Sequence, residues 1–111
     1  MKKITAIFRP HKLDGVRTAL GDLISGMSIT EMKGFGRQRG HSEVYRGTEY
    51  KVDFVPKIQM EIICKDDEAE KITEVIMTTA QTGKIGDGKI FVSDIQEIIR
   101  VRTGERGESV I

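Results

Sequence analysis

Apolar and polar residues alternate from Lys3 to Phe8, with Ile4, Ala6 and Phe8 on one side and Thr5 and Ile7 on the other. That period of two predicts a β-strand, which Pro10 ends. The period then changes. From Lys12 to Leu23, Leu13, Val16, Ala19, Leu20 and Leu23 recur at three- and four-residue intervals, the spacing of a helix with one apolar stripe. Gly26 breaks the chain, and Met27 to Lys33 alternates weakly as a second strand. Pro56 opens the clearest strand: Ile58, Met60, Ile62 and Cys64 share one face, while Lys57, Gln59 and Glu61 share the other. In the next segment, KDDEAEKITEVIMTTA, acids crowd the first turn, where the helix dipole favours them. Ala69, Ile72, Val75, Ile76 and Ala80 form its stripe. A glycine-rich QTGKIGDG then leads into a fourth strand, KIFVSDI.

Two β-α-β units in 111 residues, with no composition shift to mark a linker, predict a single domain over 1–111. The expected class is α+β, a ferredoxin-like double βαβ with an antiparallel sheet. Both helices are apolar on one side only, so they should cover one face of that sheet. The opposite face includes Ile7, Ile63 and Phe91, too apolar for plain solvent, and predicts an oligomer.

One stretch resists this scheme. GFGRQRGHSEVYRGTEYKVDF, from Gly34 to Phe54, carries four glycines and both charge signs without apolar periodicity. A loop of that length either argues against the assigned elements or is itself functional.

Composition narrows the classes. Lysine plus arginine total 18 against 17 acids, a net charge of +1, so no global field steers the chain to nucleic acid or an anionic membrane. Only two tyrosines and four phenylalanines are available to stack bases, which disfavours an RNA-binding sheet. Cys64 is the sole cysteine, which excludes an intrachain disulfide and a cysteine zinc cluster; core packing is its expected role. His11 and His41 stand outside any metal-ligand spacing and are assigned surface or hydrogen-bonding roles. The N-terminus has too short an apolar run for a signal peptide, and no window reaches a membrane span, so a cytoplasmic location is expected.

Anion chemistry has three candidate segments. Gly83-x-x-x-x-Gly88-Lys89 nearly matches a P-loop, but Ile90 stands where the magnesium-binding hydroxyl belongs, and the segment runs from helix to strand. As a Walker motif it fails. Its glycines still allow backbone N–H groups to converge into an anion nest, with Lys84 and Lys89 beside it; the alternative is a flexible turn with two solvated lysines. Arg100 and Arg102, two apart, would point the same way on an extended chain and suit bidentate phosphate contacts. They would equally suit a charged edge strand that discourages aggregation. Arg37 and Arg39 form a third basic group.

FRPHKLDGVRTAL, GMSITEMKGFGRQRGH, YRGTEYKVDFVPK, TGKIGDGKIFV and IRVRTGERGE, in that order, together resemble the PII signal-transduction proteins along essentially the whole chain. The resemblance implies a homotrimer of ferredoxin-like subunits with ATP or ADP held in the clefts between them. It implies 2-oxoglutarate binding with magnesium-ATP, and no dedicated enzymatic step. The unpatterned stretch becomes the T-loop, about 36–54, which is read by partner proteins. The B-loop falls at about 81–89 and a C-terminal loop at about 100–111. By matched position, Ser28, Gly36, Arg37, Gln38, Glu61, Ile63, Gly86, Asp87, Gly88, Lys89, Arg100 and Arg102 are implied to contact nucleotide. Gln38, Lys57 and Gly86 are implied to contact 2-oxoglutarate, and Gln38 to ligate magnesium together with the ATP phosphates. Tyr50 matches a uridylylated tyrosine, and Arg46 an arginine that enters the exit of an ammonium transporter. The partners implied are such a transporter, a uridylyltransferase, an adenylyltransferase or a sensor kinase, with membrane contact only through the transporter and no nucleic acid. The alternative is a small nucleotide-binding protein with weak ATP hydrolysis, for which Asp87 is the only candidate base near the glycine loop.

Overall fold

The structure, a computed structural model, describes residues 1–35, 42–45, 48–51 and 54–111, the two short segments as backbone only. The elements are β1 (Lys2–Phe8), α1 (Leu13–Leu20), β2 (Ser28–Phe35), β3 (Ser42–Tyr45), β4 (Thr48–Lys51), β5 (Phe54–Cys64), α2 (Ala69–Ala80) and β6 (Gly88–Asp94). Four strands form one antiparallel sheet in the order β2-β5-β1-β6. Each βαβ crossover therefore skips a strand, the expected ferredoxin-like arrangement.

Cross-strand register explains which residues enter the core. Ile4 pairs with Ile62, Ala6 with Met60 and Phe8 with Ile58, so period-two alternation puts one apolar set on the helix side. These residues, with Cys64, pack against Val16 and Leu20 of α1 and Ala69, Ile72, Ile76 and Ala80 of α2. Full burial of such large side chains stabilises by about 1.5–3 kcal/mol each before entropy is counted. Cys64 is buried, as its position on the apolar side of the strand predicts.

The first helix is shorter than its periodicity suggests. Regular α-helix stops at Leu20; Gly21 adopts a φ of 44°, and Gly21–Leu23 tightens into a 3₁₀ turn. Ala19, within the helix, is exposed, and Leu23, beyond its end, is 38% exposed. Val75, expected in the α2 stripe, only borders the core. The start of α2 follows its acids: the Lys65 amide donates to Glu68 Oε1 at 3.2 Å, and the N-terminal ammonium pairs with Asp66 at 2.8 Å. β5 begins at Phe54, two residues ahead of Pro56. The proline is tolerated there because β1 ends at the Phe8–Ile58 pair, leaving only β2 beside it.

Two expectations are corrected. The stretch without periodicity contains a hairpin, in which Ser42 pairs with Lys51 and Tyr45 with Thr48, as a separate two-stranded sheet. Hairpin pairing needs no buried face, so it leaves no hydrophobic period to read. Arg100 and Arg102 do not lie on an extended chain: the Gly104 amide donates to Arg100 O at 2.8 Å, closing a turn between Ile99 and Arg106. Gly104, at φ 74°, makes that turn possible.

Candidate functional site

Strand alternation sorts the implied contacts that lie on β2, β5 and β6, Gly88 apart, onto one face. Ser28 pairs with Glu61, Thr5 pairs with both Glu61 and Phe91, and Lys3 pairs with Ile63; all are out of phase with the core set. Ser28, Lys57, Glu61, Ile63 and Lys89 thus share the sheet face that the helices leave uncovered. Apolar residues stand among them: Ile7 and Ile63 are half-buried, and Phe91 is 51% exposed.

Two concavities divide these residues. One, of about 470 Å³, is bounded by β2, β5 and the loop before β6, with Gly34, Lys57, Gly86, Gly88, Lys89 and Phe91 on its walls. The other, of about 340 Å³, gathers Ser28, Glu61 and Ile63 against Ile98, Val110 and Ile111. Four residue steps along β5 take the chain from Lys57 to Glu61, roughly 13 Å of extended strand.

Lys57 is the unusual residue. It is the only buried charged side chain among the described residues, at 8% exposure, and its ammonium donates to the Gly86 carbonyl. Burial lowers its pKa, and the neighbouring Arg9 guanidinium lowers it further; Asp87 acts in the opposite direction. Gly34 makes the room. A Cβ there would stand 3.1 Å from Lys57 Cγ and 3.6 Å from the Val55 carbonyl oxygen.

The loop from Thr82 to Lys89 is braced from within. Asp87 Oδ2 accepts the amides of Thr82 and Gly83, both at 2.8 Å, and Oδ1 accepts the Thr82 hydroxyl and Arg9 Nε, the latter at 3.2 Å. Arg9 Nη2 also donates to the Ile85 carbonyl at 2.9 Å. Gly83, Gly86 and Gly88 all take positive φ, so the glycines are used conformationally. Among the described residues the Gly86 amide has no acceptor. The Asp87 carboxylate is thus seated on the first two amides of the loop.

The Thr82 bonds, followed by those from Gly83 and Arg9, hold the Asp87 carboxyl far below the usual carboxylate range. These bonds stabilise the folded protein at every pH above the ordinary value of about 4 and are lost as pH falls below it. Asp66 shifts the same way through the N-terminal ammonium. Thermal unfolding between pH 6 and 3 should show a larger fall in midpoint for the wild type than for Asp87→Asn, because both retain the Asp66 contribution. Equal falls would deny the Asp87 linkage.

Arg9 escaped the sequence reading. It lies one residue beyond the strand alternation, in FRPHKL, and only the return of the glycine loop to the end of β1 brings it to Lys57 and Asp87. Arg100 is brought to Glu105, at 2.9 Å, rather than to either concavity of its own chain. Arg102 is exposed and lines neither. Gly36, Arg37, Gln38 and Arg46 lie outside the described residues, and Tyr50 is described in backbone only. No cluster of three His, Cys, Asp or Glu occurs among the described residues. No described helix is long and apolar enough to cross a membrane.

The family model for nitrogen regulatory protein P-II matches residues 1–105. The chain belongs to the PII family. It is 60% identical over 112 aligned positions to the nitrogen regulatory protein P-II of Pasteurella multocida strain Pm70, with both chains covered completely. It is 58% identical, again over both full lengths, to nitrogen regulatory protein P-II 1 of Escherichia coli K12 and to the P-II protein of Klebsiella oxytoca. PII proteins are regulatory signal transducers that act on partner proteins in nitrogen control, and this chain is a nitrogen-regulatory signalling protein.

Proposed function

We propose that this PII protein senses nitrogen, carbon and energy status by binding ATP or ADP and, with magnesium-ATP, 2-oxoglutarate. The carrying observation is a buried cation, Lys57, beside a second cation, Arg9, at the mouth of a glycine loop whose Gly86 amide has no acceptor among the described residues. Surplus positive charge partly removed from water favours an anionic ligand. Lys57 takes the distal carboxylate of 2-oxoglutarate in this reading, and Gly86, Gly88 and Lys89 take the nucleotide phosphates. Ser28, Glu61 and Ile63 face the nucleoside, while Arg100 and Arg102 reach it from a neighbouring protomer. Magnesium would be held by Gln38 as the protein's oxygen ligand and would supply positive charge against the anionic ligands.

Assembly as a homotrimer gives the uncovered sheet face a partner and supplies the arginines that one chain alone leaves distant. The T-loop carries the output through Arg46 and Tyr50 to an ammonium transporter, a uridylyltransferase, an adenylyltransferase or a sensor kinase. Residues of this kind require no catalysis. Asp87, the only candidate base at the loop, has its carboxylate saturated by four donors, which argues against a hydrolase.

Calorimetry tests the reading. Heat from 2-oxoglutarate is expected with magnesium-ATP and little or none with ADP or without nucleotide. Coupling of this type is typically about 1–3 kcal/mol. Equal binding in all three conditions would overturn the dependence on magnesium-ATP, and a monomer by light scattering would overturn the intersubunit site.

A further inference from the structure

We infer that the Asp87 carboxylate is a positioning group of the phosphate loop, a clasp that turns the loop's amides outward, the Asp87 amide included, and does not itself contact the nucleotide; this rests on the nucleotide reading above. An ionised carboxylate offers about four acceptor sites and no donor. All four are engaged, by the Thr82 amide, the Gly83 amide, the Thr82 hydroxyl and Arg9 Nε. The group has nothing to offer a phosphate, and its charge repels one.

Its value lies in what it fixes. The Thr82 oxygen that donates to Asp87 also accepts the Lys84 amide at 3.2 Å, so the first half of the loop is folded onto this one side chain. Arg9, held by Asp87, draws the Ile85 carbonyl to itself at 2.9 Å, and Lys57 draws the Gly86 carbonyl. A trans peptide is planar, with C=O and N–H pointing opposite ways. Fixing the Ile85 carbonyl on Arg9 therefore turns the Gly86 N–H to the other side, and fixing the Gly86 carbonyl on Lys57 does the same for the Asp87 N–H. Gly86, at φ 100°, permits two successive carbonyls on one side. The clasp thus converts side-chain charge at the rear of the loop into backbone donors at its front.

Asp87→Asn and Thr82→Val separate the clasp from simple electrostatics, because the two accounts differ in sign. Removing a negative charge beside a triphosphate should tighten ATP binding if charge alone matters. Loss of the clasp weakens ATP binding about tenfold in Asp87→Asn, in line with the loss of a charge-assisted hydrogen bond. Thr82→Val, which leaves charge unchanged, weakens it in the same direction. The double variant is no worse than the poorer single one, since both break one unit. In the nucleotide-free protein, hydrogen exchange at the Thr82 and Gly83 amides accelerates in Asp87→Asn while strand amides keep their protection. ATP binding by Asp87→Asn that equals or exceeds wild type, or unchanged exchange at those two amides, overturns the inference. Failure of the wild type to bind ATP overturns the nucleotide reading instead.

Discussion

Gly88→Ala is expected to lose about 3 kcal/mol or more of stability, the sum of backbone strain and overpacking costs of roughly 1–3 kcal/mol each. Gly88 takes φ 113° where β6 meets β1, opposite Phe8. A Cβ at this position would lie 1.7 Å from the Ile7 carbonyl oxygen and 2.7 Å from its carbon. Neither atom belongs to a flexible side chain, so the strands must part. The same shift would drag the glycine loop from Arg9 and Lys57, and ATP binding should fall with stability. Gly83→Ala is the matched control: its φ is 85°, but nothing lies within 4 Å of the added methyl group. It should cost only the left-handed penalty of about 1–2 kcal/mol. Urea midpoints of the two variants decide the matter, and Gly88→Ala as stable as Gly83→Ala would refute the steric account.

Lys57→Met should produce the opposite combination, a sound fold with a lost response. The side chain is 8% exposed and its pKa is lowered chiefly by burial, so the folded state disfavours the charged form. A folded-state value below the unfolded one makes the ammonium a cost at neutral pH, easing only as pH rises through the folded value. Methionine fills similar space beside Gly34 without that cost, and the Gly86 carbonyl it releases sits in an intermediate position that water can reach. The unfolding midpoint should stay level or rise. Binding of 2-oxoglutarate, deprived of a charge pair of about 3 kcal/mol, should weaken roughly 100-fold or more while ATP still binds. Calorimetry with both ligands measures this, and a retained 2-oxoglutarate response would remove Lys57 from the effector site.

The fold was largely legible because each element leaves its own period. Ile58 to Cys64 could only be a strand with one buried face, and Ile72 and Ile76 could only be a helix stripe. What escaped was pairing that leaves no apolar rhythm: the Ser42–Lys51 hairpin and the turn at Arg100–Gly104 are defined by backbone hydrogen bonds. The glycine loop was legible by motif, in TGKIGDGKIF, but the four bonds that seat the Asp87 carboxylate on Thr82, Gly83 and Arg9 were not.

The chain by itself determined the strand faces, the helix stripes and the presence of a glycine loop able to take positive φ, because these follow from local stereochemistry and side-chain periodicity. Only the tertiary structure decided that Arg9, Lys57 and Asp87, 30 to 78 positions apart in sequence, meet at that loop. The antiparallel register of β1 with both β5 and β6 delivers their ends to one corner, and no local period carries information about which strand ends become neighbours.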